Sequence, residues 1–312
     1  MPDPKQRLAW LPFQTREEAE AALGGLPDGV GFAPFVDPDD PWPDSIAEVG
    51  FLVVPYLTGN KGLSRAKEMT SLEVVQLNMA GYDGVPELIP DGVALCNAAG
   101  VHDTSTAELA IGLALAQGRQ LDVYARNMPD GTWDRGPLGR SLADQRALIL
   151  GYGSIGKAIE RRLEPMEPAS ITRVASRARD NIHGIDELDE LLPETDVVFV
   201  ICPLNDATRG LLDARRLALL PDGALVVNVA RGPIVDTEAL VAETSSGRLR
   251  AALDVTDPEP LPADHPLWRS PGVLIAPHTG GPSTAFEPRA NALIGRQLRH
   301  WAAGENLENR VL

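Results

Sequence analysis

A chain of 312 residues with 44% hydrophobic content is long enough to bury two cores, and its formal charge of −16 excludes the basic face that nucleic-acid phosphates require. No run of about eighteen apolar residues crosses a bilayer, and Met1-Pro2-Asp3-Pro4-Lys5 lacks the layout of a signal peptide, so a cytoplasmic protein without a membrane partner is expected. Cys96 and Cys202 are too few for a disulfide framework and neither has metal-ligand spacing with a histidine, so no metal is expected.

In chain order, the first hundred residues read as a small alternating unit with apolar runs at Phe51 to Val54 and Leu72 to Leu77. The acidic, proline-rich stretch Asp37 to Asp44 reads as surface loop. Ala107 to Tyr124 carries one long, largely apolar helical pattern, whose outer face is expected to pack on a second copy in a homodimer. Ala147 to Leu150 is then a short strand-like run that ends in Gly151-Tyr152-Gly153-Ser154-Ile155-Gly156, and Ser154 to Leu163 looks helical. That is the strand, turn and helix of a dinucleotide crossover: Gly151 permits the turn, Gly153 lets backbone approach a pyrophosphate, and Gly156 lets helix pack on strand. Lys157 extends the match toward a nucleotide hydrolase loop, but Ala158 stands where Ser or Thr must ligate magnesium, which disfavours that alternative.

Downstream, apolar runs at Ile171 to Ala175, Val197 to Ile201, Ala224 to Val229, Ala251 to Val255 and Val273 to Ala276 alternate with helix-like segments. These are Asp186 to Leu192, Asp213 to Leu220 and Asp236 to Ser246; Ala290 to Trp301 reads as a closing helix. Alternation of this kind predicts an α/β architecture with parallel sheets, whose ligands bind outside the carboxyl ends of the strands. Arg231, Glu259 and His278 each follow one of these runs, so all three are expected at one sheet edge. Reduction of a keto acid asks for those residue types. A histidine exchanges a proton near neutral pH, a carboxylate beside it favours the imidazolium and fixes its tautomer, and a guanidinium fork holds a substrate carboxylate.

From about Val74 to Gly281 the chain resembles the D-isomer-specific 2-hydroxyacid dehydrogenases. The resemblance rests on Gly81-Tyr82-Asp83, Thr106-Ala107-Glu108-Leu109, the glycine turn, Cys202-Pro203-Leu204 with Thr208-Arg209-Gly210, Asn228-Val229-Ala230-Arg231-Gly232, Asp254-Val255 with Glu259-Pro260, and Pro277-His278. It implies two Rossmann-like doubly wound domains with the active site in the cleft between them. A substrate-binding domain spans 1–98 with 285–312, and a dinucleotide-binding domain spans 99–284. It further implies Arg231 as substrate clamp, His278 as acid/base with Glu259 as its partner, and backbone amides of Ala80 and Gly81 at the substrate carboxylate. Cofactor contacts are implied at Thr106, Ser154, Ile155, Cys202, Pro203, Thr208, Ala230, Asp254, His278 and Gly280.

Two departures bear on specificity. Most relatives end the second strand of the cofactor domain with an acid, whereas Val174-Ala175-Ser176-Arg177 puts Ser176 there, followed by Arg177 and Arg179. Ser and Arg can receive a 2′-phosphate that an acid would repel, so NADP is expected, with NAD as the alternative. Formate dehydrogenases are similar but put glutamine where Glu259 stands, and phosphite dehydrogenases put lysine at the place of Ala80. The expected substrate is therefore a small 2-keto or 2-hydroxy acid, with glyoxylate, hydroxypyruvate and bulkier keto acids all open and Tyr56 and Met79 as residues that shape the pocket. A dinucleotide-responsive sensor without turnover is the alternative from another class, and an intact Arg231, Glu259 and His278 set weighs against it.

Overall fold

The computed structural model describes residues 7–312; the amino-terminal segment read for a leader lies outside them. The chain divides into two compact units, one running to His102 and resuming at Thr284–Leu312, the other Asp103–Ser283.

The first unit is built on a five-stranded parallel sheet of β1 (Arg7–Leu11), β2 (Val30–Pro34), β3 (Val49–Val53), β4 (Val74–Gln76) and β5 (Ala94–Cys96), in the order β2-β1-β3-β4-β5. The reversal between β1 and β3 is that of a doubly wound fold. Helix α1 (Arg16–Leu23) starts on a Thr15–Glu18 capping box, which satisfies two amides of its first turn and fixes where it begins. Residues on both faces of β3 are buried, as parallel strands require. The carboxyl-terminal residues return to this sheet, where Cys96 and Arg310 form an antiparallel bridge.

In the second unit, α2 (Asp103–Gly118) and α3 (Leu121–Asn127) precede the sheet. The expected single helix over 107–124 is thus two helices, broken where Gln120 takes a left-handed φ of 56°. A seven-stranded parallel sheet follows. Its strands are β6 (Arg146–Leu150), β7 (Ser170–Ala175), β8 (His183–Gly184), β9 (Val197–Val200), β10 (Leu225–Asn228), β11 (Arg250–Leu253) and β12 (Val273–Ile275), in the order β12-β11-β10-β9-β6-β7-β8. Helix α4 (Ser154–Leu163) crosses from β6 to β7, and α5 (Leu188–Leu191), α6 (Ala214–Leu219) and α7 (Thr237–Ser245) make later crossings. Asp213 and Asp236 cap the last two by accepting from Arg216 N and Ala239 N, which explains why those helices start there. Two apolar clusters sandwich this sheet, one around Leu148, Val198 and Val226, the other around Ile149, Phe199 and Val227, so successive residues of one strand serve opposite faces. Helix α8 (Phe286–Ala303) belongs to the first unit, packing Ile294, Leu298 and Trp301 with Phe51 and Val53. Among the described residues, no helix is long and apolar enough to cross a membrane.

Candidate functional site

Register decides what the carboxyl edge of the large sheet presents. Leu150 pairs with Val174 and Val200, Val200 with Asn228, Asn228 with Leu253, and Leu253 with Ile275. Six strands therefore end nearly level, and the residues just beyond them form one row: Gly151, Ser176, Cys202, Arg231, Asp254 and His278. The strand order reverses between β6 and β9, which is where such sheets bind their ligands.

The glycine turn sits at that reversal. Gly151 has φ 114°, and a Cβ there would lie 2.3 Å from the backbone nitrogen of Cys202, so β6 and the segment after β9 close on each other only with glycine. A Cβ at Gly156 would lie 2.4 Å from the Gly151 carbonyl and 3.3 Å from Ile149 Cγ2, whereas one at Gly153 would meet nothing within 4 Å. Turn and helix are thus packed tight at two glycines and open at the third. Helix α4 has Gly153 as N-cap with no side-chain cap, leaving its first amides to an anion. The donor set fits the pyrophosphate of a dinucleotide; Gly151, Gly153, Ser154, Ile155 and Gly156 would line it.

The residue between the first two glycines is anchored in a way that the sequence reading missed. Tyr152 donates its hydroxyl to the buried Glu160 of α4, and Arg173 of β7 donates to the same carboxylate through Nε at 2.6 Å. Burial and the neighbouring carboxylate push the Tyr152 phenol up. The visible signal was an acid among the buried positions Ala158, Ile159 and Leu163 of α4. Beyond β7, Ser176 and Arg177 are both exposed, and Arg179 Nη2 lies 3.4 Å from the Tyr152 carbonyl.

At the other end of the row, His278 Nδ1 is 2.5 Å from Glu259 Oε1. His278 has a left-handed φ of 53°, and its amide donates to the Asp254 carbonyl at 2.8 Å. The Asp254 carboxylate accepts from the amides of Thr279 at 2.6 Å and Gly280 at 2.9 Å, while Thr106 Oγ1 donates to the Gly280 carbonyl at 3.1 Å. Asp254 is 2% exposed, and burial raises its pKa against the pull of those amides. Asp254, Thr106 and Gly280 therefore fix the backbone that carries the histidine, a role absent from the sequence reading.

Arg231 is held by a turn in which buried Asn228 donates Nδ2 to the Arg231 carbonyl at 3.0 Å and accepts from Ala230 N at 3.1 Å. A Cβ on Gly232 would lie 2.0 Å from the Thr256 carbonyl, so the loop carrying Arg231 lies directly on the one leading to Glu259. Thr208 is buried and bonds the Pro203 carbonyl at 2.6 Å, shaping the loop after Cys202. Burial lifts the Cys202 thiol to about 11, which makes it a packing residue of the turn rather than a nucleophile. Ala80 and Gly81 lie beyond β4 in the first unit, with the Ala80 carbonyl accepting from Asn97 Nδ2 at 2.8 Å. In that unit Tyr56 stacks on Phe286 at 4.0 Å between centroids.

Residues 111–280 match the family model described as D-isomer specific 2-hydroxyacid dehydrogenase, NAD binding domain. A glyoxylate reductase of Thermofilum pendens is 32% identical over 75% of this chain and 73% of its own length. The crystal structure of a D-isomer specific 2-hydroxyacid dehydrogenase from Xanthobacter autotrophicus Py2, in complex with NADPH and MES, superposes with a TM-score of 0.79. It has 28% identity and covers 99% of this chain and 98% of that one. An NADPH-dependent glyoxylate/hydroxypyruvate reductase from Sinorhizobium meliloti, in complex with NADP and malonate, gives 0.78 at 25% identity, covering 98% and 97%. With its switch-point glycine turn and more than half its length inside the family model, the chain belongs to the D-isomer specific 2-hydroxyacid dehydrogenases, nicotinamide-dependent oxidoreductases of small 2-keto and 2-hydroxy acids.

Proposed function

We propose that the protein reduces a small 2-keto acid, with glyoxylate and hydroxypyruvate as first candidates, and prefers NADPH. The bound nicotinamide supplies the hydride for the carbonyl carbon. His278 supplies the proton: with Nδ1 engaged by Glu259, Nε2 is the ring nitrogen that exchanges a proton with the substrate oxygen. Arg231 holds the carboxylate and polarises the carbonyl through its planar fork, and the amides of Ala80 and Gly81 receive the carboxylate. The glycine turn and the amides of α4 hold the pyrophosphate, with Cys202, Pro203, Thr208 and Ala230 bordering the same edge.

The observation that carries this reading is the His278–Glu259 pair, held on a backbone that Asp254 clamps at three points. Its test is steady-state consumption of NADPH with glyoxylate. His278→Ala is expected to lower kcat by about a thousandfold with cofactor affinity retained, in line with loss of a general acid. A variant as fast as the parent removes the assignment.

The NADPH preference is supported by Ser176 and exposed Arg177 beyond β7, where an acid would repel a 2′-phosphate. Ser176→Asp is expected to move the kcat/KM ratio toward NADH by about tenfold or more, one charge-assisted contact being worth that much. An unchanged ratio defeats the preference. We also propose a homodimer in the cytoplasm. The dimer is supported by Met128, Trp133 and Leu138, which follow α3 and stay 77%, 91% and 99% exposed, an apolar array that a second copy would cover. Sedimentation at the mass of one chain would overturn it.

A further inference from the structure

We infer that Asn97 is a positioning residue for substrate binding, and that a buried chain of carboxamides ties it to the carboxyl-terminal tail. The inference rests on the proposed role of the Ala80 and Gly81 amides. In a trans peptide the carbonyl and the following N–H point in opposite directions in one plane, so holding the oxygen aims the amide. The Gly81 N–H shares its peptide with the Ala80 carbonyl, which accepts from Asn97 Nδ2 at 2.8 Å. The Ala80 N–H shares its peptide with the Met79 carbonyl, which accepts from Ala98 N at 2.8 Å. Both amides proposed to meet the substrate are thus aimed by donors on adjacent residues beyond β5. Among the described residues, neither amide is spent on another backbone carbonyl.

Asn97 is itself held on every side. Its Oδ1 accepts from Ala99 N at 3.2 Å and its amide donates to the Asn309 carbonyl at 3.1 Å. Its carbonyl accepts from Gln76 Nε2 at 3.1 Å. Gln76 Oε1 accepts from Gln297 Nε2 at 2.7 Å, and Gln297 exchanges hydrogen bonds with the backbone of Glu308 at 2.8 and 2.9 Å. Gln76 and Gln297 are both 0% exposed, and each uses its amide protons and its oxygen within this chain. A matched apolar pair would fill the same core at little cost, so what the carboxamides add is direction: a satisfied polar network admits one register of strand, helix and tail. The line runs from the tail through α8 and β4 to the turn at Ala80.

The test compares Asn97→Ala, Gln297→Leu, their double variant and Gly81→Pro in the full-length enzyme, reading KM for glyoxylate, kcat, Kd for oxamate and Kd for NADPH. Asn97→Ala is expected to raise KM and the oxamate Kd by about tenfold, the loss of one orienting hydrogen bond, with kcat and the NADPH Kd changed less than about threefold. Gln297→Leu, which is remote from the turn, should shift the same two constants in the same direction, and the double variant should be no worse than Asn97→Ala alone because both act along one path. Additive effects, or a lower Tm with KM and oxamate binding unchanged, overturn the positioning role. Gly81→Pro removes an amide outright: if it leaves oxamate binding intact, the proposed carboxylate contact fails. If it weakens oxamate while Asn97→Ala does not, the contact stands and the carboxamide chain alone is wrong.

Discussion

Alanine at Gly153 and at Gly156 should separate cofactor binding from folding within one turn of chain. At Gly156 the new methyl would sit 2.4 Å from the Gly151 carbonyl, a backbone atom fixed by strand β6 and unable to swing aside. Overpacking of this kind costs about 1–3 kcal/mol, and for a unit of this size about 2 kcal/mol lowers Tm by roughly 4–8 °C. At Gly153 the methyl meets nothing within 4 Å and the residue has φ −93°, which alanine adopts freely. Alanine is a poorer N-cap than glycine, but it also restricts the unfolded chain by about 0.4–1 kcal/mol, so the two effects nearly cancel and Tm should stay within about 2 °C.

Binding should respond in the opposite sense. If the pyrophosphate lies at this turn as proposed, a methyl in the open space at Gly153 keeps it from the α4 amides, and losing a charge-assisted contact of about 1.5–3 kcal/mol weakens the cofactor by about ten- to a hundredfold. Thermal melts without cofactor and titration of nicotinamide fluorescence measure the two quantities independently. Gly153→Ala that binds NADPH as tightly as the parent would refute the placement of the pyrophosphate at this turn. Gly156→Ala that melts with the parent would refute the close packing of α4 on β6.

The remaining expectations concern charge and thiols. Asp189 is pulled down to about 2 by hydrogen bonds from Arg215 and Arg216. A depressed carboxyl stabilises the fold above its unfolded pKa of about 3.9 and loses that contribution as pH falls through its folded value, so Asp189→Asn should melt slightly lower than the parent at pH 7. The difference should close between about pH 4 and pH 2, and a gap that persists at pH 2 would contradict the pairing. Both cysteines are buried, and burial lifts the Cys202 thiol to about 11 and raises Cys96 too, so a disulfide reagent at pH 8 should label neither in the native enzyme and both after denaturation. Fast native labelling would show that the turn around Cys202 opens.

What the sequence disclosed followed from how much of each signal is local. The central strands β9 and β10 of the large sheet bury both faces and read as continuous apolar runs, and α6 and α7 announce themselves through Asp213 and Asp236. β2 contains Gly31 and Pro34, β5 has three residues and β8 two, so their identity as strands comes from neighbours rather than from pattern. The apolar run over 107–124 gave no warning of the break at Gln120, because periodicity does not report a single left-handed residue. Arg231, Glu259 and His278 were visible as chemistry after strands. Asn228, Asp254 and Asn97 act by holding backbone that carries other groups, and that work shows only when the partners are in view.

This division has a physical cause. A side chain that does chemistry is constrained by its own functional group, so its type and its place after a strand suffice to suggest it. A side chain that aims a peptide is constrained by distant carbonyls: Asp254 serves amides at 279 and 280, and Asn97 serves a carbonyl at 80 while its own amide donates to the carbonyl of Asn309. Such residues also govern precision, since a displaced amide or imidazole forfeits reactivity while the chemical groups remain intact. Substitutions at Asn97 and Asp254 should therefore leave the enzyme folded and chemically complete but poorly aimed. A response confined to stability would mean that these buried polar groups serve the core alone.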